Sequence, residues 1–334
     1  MGPITPNTPN TSNRDQVTDA KTAVLLCNVS LANNPVQAIG SSLSGWKIVW
    51  SGNPADPNYA FIAVDSTGQN YALIFRGSVA FNDLDFLVDW IEEDFNVLGR
   101  VSWPYASTSD ARISKGADKA FKAIMSMTDS QGSGIPIGEY LLKNTVGNGQ
   151  RLIIAGHSLG GNIANVYASY YVQTLPKGIS SDNISLYTFA APAAGNPAFA
   201  RDLDNKLPAA WHYHNENDII PNFAVPDRIV FTGSLYTPQP AAAEITTTYK
   251  GQTVSLQEAF LLLAALFTLD DYQQPANNYT FFPTLLDTNH EANTLKGWLG
   301  QAGAQHQISN YAQYLGITLP SISSFISQPP VPAV

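Results

Sequence analysis

The sequence predicts an α/β architecture, a mostly parallel central sheet with helices on both faces. Three observations carry this expectation. The chain has 334 residues, 44% of them apolar, enough to fill one sizeable core. Beyond Phe75, short apolar runs of strand character alternate with longer segments of helical period. At 156–161 a glycine-rich turn joins one such run to one such helix.

The elements follow in chain order. Residues 1–13, rich in Pro, Asn and Thr, are expected to be disordered, which leaves 14–334 as a single domain. Val17, Ala20, Ala23, Val24 and Cys27 recur at helical spacing and predict a helix over 16–29. Segments 48–50, 60–64 and 71–75 read as strands, the last two joined by the turn-forming Asp65-Ser66-Thr67-Gly68, so the sheet opens antiparallel. A helix over 115–127, a buried strand over 151–155, a helix over 162–175 and strands over 185–189 and 211–214 complete the alternation. In a parallel sheet ligands sit beyond the carboxyl ends of the strands. Reactive residues are therefore expected just after strands.

Composition excludes several function classes. A net charge of −9 with no Lys/Arg-rich run repels polyanions, so nucleic acid is not an expected partner. The single cysteine, Cys27, allows neither an intrachain disulfide nor a cysteine zinc site. HExxH, P-loop and dinucleotide-binding patterns are all missing, and no metal or organic cofactor is expected. The most apolar stretch, 259–267, falls short of the roughly 20 residues a membrane span needs. It reads as a buried or interfacial helix, and no transmembrane segment is expected. The first residues lack the basic-then-apolar pattern of a secretory signal. The compartment stays open, with the low charged fraction of 13% and an Asn-rich surface leaning toward an extracellular protein.

Gly156-His157-Ser158-Leu159-Gly160 lies between the apolar run 151–155 and a helix beginning near Gly161, the context of a nucleophile elbow. The flanking glycines leave room for a strained turn that lifts Ser158 above the sheet, and bulkier residues there should clash. A serine hydroxyl needs an imidazole to accept its proton, and the imidazole needs a carboxylate to orient it. On this type of fold the chain order is serine, acid, histidine. His157 is too close in sequence to serve, which leaves His212, His214, His290 and His306. The first two alternate on a strand and precede the best-placed acid, Asp218, which follows that strand and leads into Ile219-Ile220-Pro221. Asp202, Asp204 and Asp227 stand on polar, turn-like ground. His306 follows the flexible-looking Gly300-Gln301-Ala302-Gly303 and can reach the elbow from a loop. His290, in Asp287-Thr288-Asn289-His290-Glu291, suits a helix cap better and is the alternative base.

Phe75-Arg76-Gly77-Ser78, the GHSLGG run, Thr188 to Asn196, Asn217-Asp218-Ile219-Ile220-Pro221 and His306 together resemble the class 3 lipase family, over roughly residues 60–315. The resemblance implies the α/β-hydrolase fold with a lid helix, and hydrolysis of carboxylic esters by the triad Ser158, Asp218 and His306. It assigns the oxyanion hole to Ser78 and the backbone of Leu159. It also reads 79–93 as a lid, whose Phe81, Phe86, Leu87 and Trp90 would contact substrate or a lipid–water interface. An ordinary helix packed on the core has the same periodicity. Three departures stand out. Ala190 and Ala193 replace the family's usual Gly and Arg, the disulfides of many fungal members are missing, and 88 residues separate Asp218 from His306. That spacing implies an insertion at about 232–298, with an apolar helix over 256–269 that could cap the site or wall an acyl chain.

The leading expectation is a triacylglycerol lipase that works through an acyl-enzyme intermediate at lipid–water interfaces, with a lipid or ester substrate as its partner. An esterase for short-chain or aromatic, feruloyl-type esters is the near alternative. A catalytically silent scaffold is the distant one.

Overall fold

A computed structural model describes residues 11–53, 58–77, 99–249, 251–268 and 271–322, without the side chains of 11–15. The chain there runs α1 (Thr11–Ser30), α2 (Pro35–Ser42), β1 (Trp46–Ser51), β2 (Ala60–Asp65) and β3 (Asn70–Phe75). It continues with β4 (Arg100–Ser102), β5 (Arg112–Ser114), α3 (Lys115–Met125), α4 (Ile137–Asn144), β6 (Arg151–His157) and α5 (Leu159–Gln173). Next come β7 (Ile184–Phe189), α6 (Pro197–Lys206), β8 (Ala210–Asn215), α7 (Pro226–Thr232), β9 (Thr246–Tyr249) and β10 (Gln252–Ser255). The last are α8 (Leu256–Phe267), β11 (Tyr279–Phe282), α9 (Leu295–Gln305) and α10 (Ile308–Tyr314).

One seven-stranded sheet organises these elements, in the order β1-β2-β3-β6-β7-β8-β11. Pairing is antiparallel from β1 to β3 and parallel from β3 to the β11 edge. Phe75 stands opposite Gly156 and His157 opposite Phe189, so β3, β6 and β7 finish side by side. The crevice expected of a parallel sheet opens at these carboxyl ends.

Both faces of the sheet are covered. Along β6, Leu152 and Ile154 enter one apolar cluster while Ile153 and Ala155 enter the other. The period-two alternation of a strand buried on both sides produces this division. Ile163, Val166 and Tyr167 of α5 belong to the first cluster, Ala20, Val24 and Cys27 of α1 to the second. Each large side chain so buried contributes about 1.5–3 kcal/mol.

The helix predicted over 16–29 begins earlier, at Thr11, so its start falls inside the segment expected to be disordered. Its first turn carries Thr, Ser and Asn, which an apolar period does not mark. The region read as an insertion contributes more than a cap. β11 extends the sheet as its parallel edge strand, pairing Tyr279 with His212 and Phe282 with Asn215. Phe260 and Phe267 of α8, together with Trp298, are buried in the main core. Ser78 and the expected lid 79–93, with Phe81, Phe86, Leu87 and Trp90, lie outside the described residues. Among the described residues, no helix is long and apolar enough to cross a membrane.

Candidate active site

β6 ends at His157 and α5 begins at Leu159, so Ser158 makes the turn alone. Its φ of 60° and ψ of −127° form a backbone conformation that residues other than glycine seldom adopt. Two contacts hold it there. Its N–H donates to the Phe189 carbonyl at 2.9 Å, and its own carbonyl accepts from the Gly161 N–H at 2.9 Å. The turn requires backbones in direct contact. A Cβ at Gly156 would overlap the Gly160 carbonyl, and one at Gly160 would overlap the carbonyl of Phe75. The clash expected at these positions is thus one with main chain, which no side-chain rotation relieves.

Asp218 follows β8 on a tight turn closed by its N–H, which donates to the Asn215 carbonyl at 2.8 Å. Its carboxylate is fully buried and has three partners. The Ile220 N–H donates to Oδ1 at 2.9 Å, the Tyr311 hydroxyl donates to Oδ2 at 2.7 Å, and His306 Nδ1 lies 2.8 Å from Oδ2. Burial pushes this carboxyl up, but the His306 imidazole, the Ile220 amide and the Tyr311 hydroxyl together pull it below the usual carboxylate range. Asp218 is therefore ionised at neutral pH and can only accept. His306 Nδ1 must then carry a proton, which leaves the neutral ring with Nε2 as an acceptor. Nε2 stands 2.8 Å from Ser158 Oγ, so the hydroxyl donates to it. Serine, imidazole and carboxylate form a relay in which the hydroxyl proton can pass to a ring already oriented to receive it.

A polar lattice fixes the spacing of the acid and the imidazole. Asn215, the last residue of β8, donates through its side-chain amide to the Gln305 carbonyl at 2.9 Å and to Gln305 Oε1 at 3.0 Å. Thr284 donates to Asn215 Oδ1 at 2.7 Å, and Gln305 donates to the Leu285 carbonyl at 2.9 Å. The residues just before Asp218 and His306 are thereby joined.

The structure changes the local setting of His306. Residues 300–303, read as a flexible approach, lie inside α9, and His306 is the C-cap of that helix, with its N–H donating to the Ala302 carbonyl at 3.0 Å. The small residues Gly300, Ala302 and Gly303 suggested a loop. They sit instead on a helix whose neighbours come close, as the His290 ring does at Gly300. Asp202, Asp204 and Asp227 also depart from the turn-like reading, since the first two belong to α6 and the third to the first turn of α7, with Asp202 paired to Lys206 at 2.6 Å.

The remaining histidines stand apart from Ser158. His212 Nδ1 lies 2.7 Å from Thr188 Oγ1 and His214 Nδ1 lies 3.1 Å from the Tyr279 hydroxyl. His290 is half-exposed beside Asp287. Sequence reasoning missed two participants. Tyr311, three positions into α10, had only an apolar helical pattern to announce it. His157 was set aside as too close, yet its Nε2–H donates to the His306 carbonyl at 3.0 Å while its ring lies 4.7 Å from the His306 ring. Burial, helped by the neighbouring His306 imidazole, lowers its pKa to about 3, so it stays neutral. Leu159 opens α5, where first-turn amides have no acceptor within the helix. Ser78, expected opposite it, lies outside the described residues.

The sequence profile of the class 3 lipases matches residues 73–227, which run from β3 through Ser158 and Asp218. A lipase of Caenorhabditis elegans is 25% identical over 171 residues, 50% of this chain and 41% of that protein. A lipase of Rhizomucor miehei is 38% identical over 72 residues, 22% of this chain and 20% of that protein. The chain thus spans less than half the length of either relative. Among solved structures, M37 lipase superposes with a TM-score of 0.69 at 19% identity, covering 92% of this chain and 93% of its own. At that identity the likeness is one of fold, the α/β-hydrolase fold. Over residues 73–227, which hold both the elbow and the acid, the chain is similar to the class 3 lipases.

Proposed function

We propose that this chain is a serine carboxylic-ester hydrolase that cleaves acylglycerols at lipid–water interfaces. Ser158 Oγ attacks the ester carbonyl carbon as His306 Nε2 takes its proton, and the imidazolium then protonates the departing alcohol. Water repeats the sequence on the acyl-enzyme, releasing a carboxylic acid and returning the proton to Ser158. Asp218 stays ionised throughout and stabilises the imidazolium. In the same reading the Leu159 amide and Ser78 stabilise the alkoxide, a contribution of about 3–4 kcal/mol per donor. Phe81, Phe86, Leu87 and Trp90 act as the apolar face of a lid. The observation that carries the proposal is the pair of short contacts at His306, 2.8 Å to Ser158 Oγ and 2.8 Å to Asp218 Oδ2.

A fluorophosphonate probe should label Ser158 and fail to label Ser158→Ala. A chain-length series from p-nitrophenyl acetate to emulsified triolein then tests the substrate class. Turnover confined to short soluble esters would replace the acylglycerol reading with an esterase, and no labelling at all would leave a silent scaffold.

A further inference from the structure

At the β11 edge of the sheet, two clefts of about 450 and about 330 Å³ share His214, Arg228 and Phe281. No residue of the Ser158 relay lines either one. Both volumes fall in the range of small-molecule sites, the narrower at its lower end.

The two clefts differ in charge. The wider one contains Glu216 and the buried Asn222, whose side-chain oxygen has no hydrogen-bond partner. Both groups present acceptors, which disfavours an anion there. Among the described residues lining the narrower cleft the one charged side chain is Arg228, set among Pro221, Val225, Pro275, Ala276 and Tyr279 with the uncharged Gln273 and Gln274 beside them. Its guanidinium carbon sits 4.6 Å over the Phe281 ring. Stacking of this kind occupies the face of the guanidinium and leaves its in-plane N–H fork available for a planar anion. Among the described residues, no carboxylate forms an ion pair with Arg228. A mainly apolar cleft whose described residues supply one cation and no acid is complementary to an apolar molecule bearing one carboxylate.

We propose that the narrower cleft binds a small apolar carboxylic acid, with its carboxylate on Arg228 and its hydrocarbon body against Phe281, Val225 and Pro275. Ester hydrolysis releases acids of this class. That link, though not the binding itself, rests on the function proposed above.

Calorimetric titration of the whole chain with octanoate and with octan-1-ol tests the site. Octanoate should bind at least about tenfold more tightly than the alcohol, and added salt should weaken the acid alone. Arg228→Gln should lower octanoate affinity by at least about tenfold while p-nitrophenyl ester turnover stays unchanged. Arg228→Lys, which keeps the charge, should retain part of the affinity and guards against a folding defect in the glutamine variant. Equal octanoate binding by wild type and Arg228→Gln, equal binding of acid and alcohol, or no octanoate binding to wild type would each overturn the site. Binding as expected in a chain that hydrolyses no ester would leave the site standing and remove only the proposed function.

Discussion

At the scale of single residues, the arrangement around His306 makes distinct demands on each partner. Ser158→Ala and His306→Ala should each lower kcat by about 10⁴-fold or more while leaving the far-ultraviolet circular dichroism unchanged. Full turnover in either would remove that residue from the mechanism. Tyr311 is a different case, because its hydroxyl touches only the acid of the relay. Tyr311→Phe deletes one donor to a buried carboxylate, a loss of about 1.5–3 kcal/mol in folding stability by denaturant titration. The variant should also show the acid limb of its kcat profile moved to higher pH, since the carboxylate loses part of what stabilises its charge. An unmoved profile would limit Tyr311 to packing. The sequence displayed Ser158 and Asp218 because each stands where a strand ends. Tyr311 was illegible because a hydroxyl at a helical apolar position looks like core.

At the scale of elements, the elbow depends on two main-chain surfaces approaching closely. Gly160→Ala should destabilise the protein by about 3 kcal/mol, since its new methyl meets the Phe75 carbonyl and neither strand nor helix can shift alone. A stability within 0.5 kcal/mol of wild type would mean that strand and helix part more easily than this packing implies. Strands β2, β3, β6, β7 and β8 were readable because apolar runs bounded by turn residues leave few alternatives. Several other elements were not, β11 and the end of α9 among them. β11 is only Tyr279-Thr280-Phe281-Phe282, too short to establish a period, and its identity comes from the β8 edge it pairs with. α9 was mistaken at its end because Gly300 and Gly303 weaken helix propensity, and packing against neighbouring residues overrode that preference.

At the scale of the whole molecule, buried neutral imidazoles govern the response to acid. Burial lowers His157 and His212 to about 3 and His214 to about 4, from an ordinary 6.5. Unfolded chains bind these protons below pH 6.5 and the folded chain does not, so stability falls as pH drops from 6.5 toward 4. Each histidine contributes at most about 1.4 kcal/mol per pH unit in that window. Asp218 works in a lower range. Its stabilisation is complete above its ordinary 3.8 and is lost only as the folded carboxylate takes up a proton below that value. Urea midpoints measured across this interval should decline steadily toward acid, and His212→Gln should flatten the decline. A constant midpoint would show that the imidazoles become protonated without unfolding the chain.

The bond lattice among Asn215, Thr284 and Gln305 has an architectural consequence. It rivets both ends of an 88-residue excursion to one spot, so the spacing of Asp218 and His306 is set by the rivets and not by the path between them. The entropy of closing such a detour grows only with the logarithm of its length. Between α7 and β11 the chain can therefore vary in length at its exposed turns, while its buried members, Tyr236, Leu256, Phe260, Phe267 and Tyr272 among them, and the Tyr236 hydroxyl that donates to the Asn217 carbonyl beside Asp218 stay in place.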